Sequence, residues 1–340
     1  FILERGDLGL TVGQPENKMG IRASKTASVF FENVRVPGDR LLGEEGKGFK
    51  IAMTILNNGR TGLAGGSVGG MRRMYEMALS HASTRVQFGK KLIEFDIIKE
   101  KLLRMRAFIY AVQSMQEVVS WLIDSGGDCA LEAAVLKVFS TDALWEVSNE
   151  ALQIAGGNGY MKDYEYERFV RDARINRIFE GSNEILRLFI SLNGFKALSE
   201  KFANLRSVSK FYEDPIKGFG LLVDYLRGPR IKFEYDMLSE LSSMILFYQN
   251  IQKKIFKTFC KVAFREGGNI VGKQMISLRV SEIVIWLFSV CCSMARYFKE
   301  ENKGNLPILE YLSHIATSNI ELNLKFLEKD ETSLIRKWFN

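Results

Sequence analysis

Arg171-Asp-Ala-Arg-Ile-Asn-Arg-Ile-Phe-Glu-Gly-Ser-Asn-Glu-Ile-Leu-Arg187 is the stretch around which the rest of the sequence is organised. Within it one carboxylate, Glu180, stands between an aromatic residue, Phe179, and a glycine, Gly181, where one helical pattern ends and another begins. The glycine permits close approach of a ligand, and an aimed carboxylate of this kind is suited to be a general base. The residues Ser182–Glu184 are typical of a helix N-terminus. From these residues alone, an ordinary loop followed by a capped helix is the commoner interpretation.

Helical periodicity lies on both sides of this stretch. Apolar residues recur at three- and four-residue spacing from Phe49 to about Ala82, from about Phe95 to Leu122, from Leu131 to about Ala155, and from about Ile175 or Ser182 to Leu192. Glycine-containing loops at Gln87–Lys90, Asp124–Asp128 and Gly156–Gly159 separate the segments. Four such helices with short connections predict an antiparallel bundle.

Residues 1–44 have the character of β structure instead. Leu8–Val12 and Ala27–Pro37 contain β-branched residues with partial alternation, bounded by Gly and Pro. A few strands do not form a stable sheet alone, and the chain opens at Phe1 without an initiator Met. We therefore expect upstream sequence to complete the sheet.

Residues 196–340 predict a further helical domain. On a helical wheel, Asn250–Arg265 places apolar residues on one face and basic residues on the other; the two sets are Ile251, Ile255, Phe259 and Val262, and Lys253, Lys254, Lys257, Lys261 and Arg265. Such a helix can lie on an anionic membrane, although a bundle helix with a solvated basic face is commoner. The segment 205–232, which mixes basic and aromatic residues, favours membrane contact.

Composition excludes several classes of site. With 340 residues, 46% of them hydrophobic, the chain can bury a substantial core. Four cysteines without disulfide density or metal-ligand spacing indicate a reducing compartment, and two distant histidines, His81 and His314, argue against a metal centre. The apolar run Ile283–Cys292 is too short to span a bilayer and predicts a buried helix. The net charge of +7 comes without a nucleic-acid-binding motif, so no nucleic-acid partner is expected.

Six separated motifs resemble the acyl-CoA dehydrogenase flavoprotein family in their order. They are Met19–Ser24, Phe30–Pro37, Leu42–Phe49, Arg85–Gly89, Gln153–Gly157 and Arg171–Arg187. The extension after residue 195 is similar to that of the very-long-chain members, and of a family member that also serves in assembly of respiratory complex I. The resemblance implies a mostly α fold: residues 1–44 end the middle β domain, 45–195 form the C-terminal four-helix domain, and 196–340 form an additional helical domain.

The resemblance also implies a reaction and its partners. Members of the family dehydrogenate a fatty acyl-CoA thioester to the trans-2-enoyl-CoA with FAD and pass electrons to electron-transfer flavoprotein. The very-long-chain members imply a homodimer in peripheral contact with the matrix face of the mitochondrial inner membrane, acting on long-chain acyl-CoA in fatty acid β-oxidation. The chain given is expected to bind FAD weakly and to be inactive alone.

Site residues follow from the same resemblance. Glu180 matches the catalytic base that removes the α-proton. Residues matching substrate contacts are Asn57, Arg60, Phe179 and Gly181. Residues matching FAD contacts are Arg85, Gln87, Phe88, Gln153, Gly156, Gly157, Ser182, Asn183 and Glu184. Arg85 matches an arginine that reaches the flavin pyrophosphate across the dimer interface.

Two alternatives stay open. One is a complex I assembly factor that keeps the fold but acts by binding assembly partners, since Glu180 does not exclude this. The other is an acyl-CoA oxidase, which the absence of a C-terminal Ser-Lys-Leu disfavours, because the chain ends Lys337-Trp-Phe-Asn340. Ser182 and Lys99 stand where relatives often have threonine and glutamine.

Overall fold

The computed structural model describes residues 1–203, 239–300 and 303–328. These residues belong to two compact units. The first unit comprises residues 1–183 and 288–313, and the second comprises the described parts of 184–287 and 314–340. The segment 205–232, for which the sequence predicts membrane contact, lies entirely within the gap 204–238 and so outside the described residues.

The N-terminal part of the first unit is a two-stranded antiparallel ribbon. Strand β1, Leu10–Val12, pairs with strand β2, Val29–Phe31. Both strands lie inside the segments where the sequence predicts β structure. The side chains of Phe30 and Phe31 are 54% and 59% exposed, so this ribbon buries little of its own apolar surface.

Residues on both sides of Gly20, in the connection between the two strands, bind the ribbon to the helices. A methyl group built at Gly20 would lie 2.5 Å from the Arg171 carbonyl oxygen. The Arg171 guanidinium donates to the Met19 carbonyl (2.9 Å), and the Ile21 N–H donates to the Asp172 carboxylate (2.5 Å). Only glycine allows this approach, so the first and last of the six motifs lie in direct contact.

Three long helices form the core of the first unit. Helix α1 is Gly48–Thr84, α2 is Asp96–Asp124 and α3 is Ala130–Ala155. The buried residues of α1 follow helical spacing: Thr61, Ala64, Ser67, Met71, Met74, Ala78 and Ala82. Helix α3 packs against both α1 and α2, and its buried residues are not confined to one stripe. It is therefore the central helix, and its boundaries lie within one residue of the prediction.

The last helices of the bundle differ from the prediction. Helix α4 is the short turn Gly157–Tyr160, α5 is Tyr166–Ile175 and α6 is Asn183–Ala203. A helix starting at about Ile175 is wrong, because α5 ends there. The alternative start at Ser182 is correct to one residue. Helix α5 was missed because it is rich in charged residues and buries only Tyr166 and Ala173.

Three further helices follow in the chain: α7, Ser239–Glu266; α8, Gln274–Lys299; and α9, Leu306–Glu328. In α7 the apolar residues Ile251, Ile255 and Val262 are 7%, 7% and 2% exposed. The basic residues of the wheel are exposed. The apolar face of this helix is thus used inside the protein, as in a bundle helix with a solvated basic face.

One helix among the described residues, α8, is long and apolar enough to cross a bilayer by length and composition. Its mean hydropathy is 1.8 over the best window, and half of that window is buried. Arg187 donates to Glu282 of α8 (2.6 Å), and Arg279 donates to Asn323 (3.3 Å). The run Ile283–Cys292 thus belongs to a helix longer than predicted, and Ile283, Ile285, Val290 and Cys292 within it are buried as predicted.

Candidate active site

The loop between α5 and α6 carries Glu180 in an unusual backbone conformation. Glu180 has φ 58° and Gly181 has φ 90°. A left-handed conformation costs a residue with a side chain about 1–3 kcal/mol unless its surroundings enforce it. The contacts of this loop therefore show what holds the carboxylate in place.

Two cations hold successive carbonyl groups of the loop. Arg60 Nε of α1 donates to the carbonyl oxygen of Glu180 (3.2 Å). Lys137 Nζ of α3 donates to the carbonyl oxygen of Gly181 (2.8 Å). Each bond fixes one peptide plane after Glu180. Helices α1 and α3, which carry the two donors, therefore set the conformation of the loop.

A polar network within the first unit holds both ends of the same loop. Lys137 Nζ also donates to Asn183 Oδ1 (2.8 Å), and Asn183 Nδ2 donates to Thr141 Oγ1 and to Asp142 Oδ1 (3.0 Å each). Arg177 Nε donates to the same Asp142 oxygen (2.6 Å), and the Asn183 N–H donates to the Arg177 carbonyl (3.0 Å). Lys137, Thr141 and Asn183 are buried. The loop is thus closed at Arg177 and Asn183, with Glu180 near its apex.

The Glu180 carboxylate points toward Gly59 on α1. A methyl group built at Gly59 would lie 3.1 Å from Glu180 Oε2. Oε2 is buried and has no hydrogen-bond partner in the part of the chain that the structure describes. An unpaired buried carboxylate oxygen is costly, so its presence marks an atom kept available for a ligand or a proton.

Arg60 lies close to this carboxylate, and Asn57 lies next to Arg60; the resemblance implies that both contact the substrate. Arg60 Nη1 donates to Asn57 Oδ1 (2.8 Å). Burial lowers the pKa of Arg60, and the nearby Glu180 charge opposes that shift. A guanidinium stays charged at neutral pH, so the site pairs a carboxylate with a fixed positive charge.

The loop apex is otherwise accessible. Phe179 is 37% exposed, and Gly181 is half-buried. The Glu180 N–H has no hydrogen-bond partner among the described residues. A base, a free N–H donor and an exposed aromatic ring therefore lie together, which suits removal of a proton next to a carbonyl group.

A second group of predicted residues lies where α1 ends. Strands β3, Val86–Gln87, and β4, Lys90–Lys91, form a hairpin whose turn residues Phe88 and Gly89 have φ 53° and 80°. Phe88 is 93% exposed and meets Phe95 edge to face. Arg85 and Gln87 are exposed. Burial, with the Arg85 charge as the second cause, lowers the pKa of His81, one turn earlier.

The third group lies where α3 ends. Gln153 is exposed, and Gly156 has φ 59° and ψ −132°, a conformation essentially restricted to glycine. A methyl group built at Gly156 or Gly157 would meet no atom within 4 Å. Bare backbone faces open space here, which allows close approach of a ligand.

Two clusters result, one at each end of the bundle. Gly59 lies by the loop held by Lys137, and Gly70 faces Leu144 (3.1 Å from a built methyl group), so α1 and α3 run in the same direction. Gln153 follows Lys137 by sixteen positions in α3, a distance of about 24 Å along the helix axis. Within one chain, Arg85, Gln87, Phe88, Gln153, Gly156 and Gly157 are therefore distant from Glu180, Arg60 and Asn57.

The three residues after Gly181 have different environments. Ser182 is half-buried and directly precedes α6, and Glu184 is exposed in its first turn. Asn183 is 0% exposed, and its side-chain amide binds Lys137, Thr141 and Asp142. Asn183 was expected among the ligand contacts, but in this structure its side chain holds the loop.

Sequence reasoning missed Lys137, Thr141, Asp142 and Arg177. One signal was available: Lys137 interrupts the apolar run Ala133–Val138, and it lies four residues before Thr141 on the same helical face. A lysine at an otherwise apolar position needs a partner. The partner itself lies 44 residues away in the Glu180 loop, and no local pattern identifies it.

Known proteins are similar to this chain in sequence and structure. Residues 46–194 match the family model described as acyl-CoA dehydrogenase, C-terminal domain. The human protein named very long-chain specific acyl-CoA dehydrogenase, mitochondrial, is 39% identical over 316 residues, which cover 90% of this chain and 48% of that protein. An acyl-CoA dehydrogenase of Bacillus subtilis is 42% identical over 191 residues, or 56% of this chain and 50% of that protein.

Structural comparison gives the same result over more of the chain. An acyl-CoA dehydrogenase from Bacillus anthracis, solved in complex with FAD, superposes with a TM-score of 0.80 at 30% identity and covers 96% of this chain and 58% of that one. Butyryl-CoA dehydrogenase from Megasphaera elsdenii gives 0.56 at 40% identity, covering 57% and 50%. This chain spans about half the length of the curated relatives it matches.

Proposed function

Because this chain belongs to the acyl-CoA dehydrogenase family, we propose that the complete protein is an FAD-dependent enzyme that converts a fatty acyl-CoA thioester to its trans-2-enoyl-CoA. The observation that carries the proposal is Glu180 Oε2, a buried carboxylate oxygen without a partner in the described chain. An acid–base role accounts for it.

The residues of the chain suit binding of FAD. A dinucleotide requires positive charge near its two phosphates and close backbone approach to its flat adenosine half. Arg85 supplies an exposed guanidinium, and Gly156 and Gly157 face open space. Gln153 and Gln87 supply exposed amides. These residues would hold the adenosine and pyrophosphate portions, and FAD when bound would accept the β-hydrogen of the substrate as hydride.

Glu180 then performs the proton transfer. The α-proton of a thioester is weakly acidic, so its removal needs an aimed base and a donor for the negative charge that develops on the carbonyl oxygen. The Glu180 carboxylate takes the proton, and the free Glu180 N–H donates to the thioester oxygen. Phe179 and Gly181 flank the acyl chain and exclude water. Arg60 and Asn57 contact the CoA portion of the substrate, and Arg60 also binds the Glu180 carbonyl group.

The distance between the two clusters supports a homodimer. Residues about 24 Å apart along α3 serve one site most simply if the subunits each contribute one cluster. The exposed apolar side chains of Phe88 and Ile97, at 93% and 71%, give the hairpin region a surface suited to a partner subunit.

Finer properties of the proposal come from the named relatives. Several are called very long-chain specific and mitochondrial, so we propose a long-chain acyl-CoA substrate, fatty acid β-oxidation, and a mitochondrial location at the matrix face of the inner membrane. A solved neighbour described as an electron transferring flavoprotein of Acidaminococcus fermentans fits electron-transfer flavoprotein as the acceptor.

A comparison of Glu180→Gln with the unchanged complete protein tests the central proposal. Palmitoyl-CoA oxidation with an artificial electron acceptor is expected to fall about 10²- to 10⁴-fold, the usual contribution of a general base. Glu150→Gln, which removes the carboxylate that Lys101 contacts, serves as the control and is expected to keep near-normal activity. Unreduced activity in Glu180→Gln would remove Glu180 from the mechanism.

A further inference from the structure

Lys137 is fully buried in the middle of α3. Lysine is almost never fully buried unless it is paired, and moving its ammonium group out of water is costly. Its Nζ donates to Gly181 O and to Asn183 Oδ1, both at 2.8 Å. Both acceptors belong to the segment that carries Glu180, so the hydrogen bonds that compensate for burial of the ammonium group are all made to that segment.

The geometry of the loop explains why a charged donor is needed. Glu180 has φ 58°, and Gly181 has φ 90°, so two adjacent residues are left-handed and the glutamate is strained. The carbonyl group after Glu180 is bonded by Arg60 and the next one by Lys137. A hydrogen bond from a charged donor is roughly twice as strong as a neutral one, and two of them oppose relaxation of the loop.

Helix α3 also binds the residues at both ends of the loop. Asp142 accepts from Arg177 at the first end and from Asn183 at the second. Thr141, one turn after Lys137, bonds Asn183 as well. The rigid helix therefore determines both ends of the loop and, through Lys137, the peptide just after its apex.

We propose that Lys137 is a positioning residue for proton abstraction: with Asn183 it holds the strained loop in the conformation that places the Glu180 carboxylate at Gly59. This inference rests on the proposed function, because it takes Glu180 as the base. Lys137 itself touches neither substrate nor cofactor. Without it, Glu180 is still present but is aimed less accurately.

The test uses Lys137→Met in the complete protein, with Lys101→Met as the matched control. Lys101 of α2 pairs with Glu150, thirteen residues after Lys137 in α3, and among the described contacts it has none with the loop. Lys137→Met is expected to lower kcat about 100-fold, the cost of misplacing a reacting group by about 1 Å, while KM for palmitoyl-CoA changes by less than about threefold. Lys101→Met is expected to leave both nearly unchanged.

Amide hydrogen exchange gives a readout that does not depend on activity. In Lys137→Met, the hydrogen-bonded amides among residues 177–183, those of Ile178, Phe179 and Asn183, are expected to lose at least about tenfold in protection, while those of α1 and α2 keep theirs. A purely structural role predicts instead a uniform loss of protection and a lower melting temperature. Unchanged protection of 177–183, or a uniform loss throughout the bundle, overturns the inference.

Thr141→Val serves if Lys137→Met does not fold. It removes one of the bonds to Asn183 with little change in volume, so the same loop is expected to lose protection by a smaller factor, and no loss overturns the inference. Inactivity of the unchanged complete protein toward acyl-CoA would overturn the proposed function instead. The amide hydrogen exchange measurement tests the role of Lys137 independently of enzymatic activity.

Discussion

Glu180, the proposed base, lies against Gly59, where the absence of a side chain makes room for its carboxylate. The Glu180 carboxylate occupies the space that a β-carbon at position 59 would partly fill, at 3.1 Å from Oε2. Glycine inside a helix usually destabilises it by about 0.5–1 kcal/mol relative to alanine. Helix α1 therefore accepts lower stability at this position so that the loop can approach it.

The variant Gly59→Ala tests whether α1 is less stable at this position because it leaves room for the Glu180 carboxylate. The variant is expected to be more stable by up to about 1 kcal/mol, yet to lose about 3- to 10-fold in kcat because the carboxylate must move by a few tenths of an ångström. Thermal unfolding and palmitoyl-CoA oxidation measure the two effects. Gly65→Ala is the control, since a methyl group there meets no atom within 4 Å, and it should gain stability without losing activity. A gain in activity for Gly59→Ala would contradict this account.

The sequence points to Glu180 only through the order of six separated motifs, because Phe179, Gly181 and the helix start alone favour an ordinary loop. Lys137 stands out as a lysine among apolar residues, which indicates that it needs a partner. Its acceptors are a carbonyl and an amide of a distant loop, so no local pattern identifies them. The resemblance assigns Asn183 to FAD contacts, and the structure adds that its side chain binds Lys137, Thr141 and Asp142.

At the scale of helices, the predictions succeeded for the long apolar helices, whether burial follows one stripe, as in α1, or extends around the helix, as in α3. Helix α1 was predicted to within one or two residues at each end because its buried residues repeat every three or four positions. Helix α5 was missed because it is short and rich in charged residues, and contacts with distant residues hold it in place. Tyr166 Oη donates to the Met77 carbonyl of α1 (3.1 Å), and Arg171 reaches the ribbon.

One ion pair between α1 and the start of α5 has a defined pH dependence. Arg73 donates to Glu165 (3.0 Å), and this bond is the main reason that the pKa of Glu165 is lowered, with Arg168 also contributing. A carboxyl group whose pKa is lower in the folded protein stabilises it at pH values above the unfolded pKa. That contribution disappears as the pH falls through the folded pKa.

A double-mutant cycle of Arg73→Met and Glu165→Gln measures this coupling. A small favourable coupling is expected at neutral pH, since both side chains are partly exposed at 55% and 41% and solvent screens the pair. Denaturant unfolding from about pH 7 to about pH 3 should show the coupling vanish at the acid end. A coupling that persists once the carboxyl group is protonated would show that packing, not charge, links the two residues.

For the whole molecule, the structure limits how the helices after residue 238 can meet a membrane. The apolar face of α7 is buried, at 7% exposure or less for Ile251, Ile255 and Val262. Insertion of that face into lipid would require unpacking it. The exposed side of α7 carries basic residues that can attract anionic headgroups without burying apolar area. These residues are Lys253, Lys254, Lys257, Lys261 and Arg265.

Membrane association of the complete protein should therefore have two separable parts. Changing the four lysines of α7 to glutamine is expected to weaken flotation with anionic liposomes by about 10²-fold or more at low salt, since each lysine near such a surface contributes about 1 kcal/mol. Binding to zwitterionic liposomes should not change. Deleting 205–232, the segment of mixed aromatic and basic residues, should remove the part of binding that survives high salt, because apolar contacts are not screened. Unaltered flotation of the four-lysine variant would exclude α7 from the contact, and failure of the unchanged protein to float would refute membrane association itself.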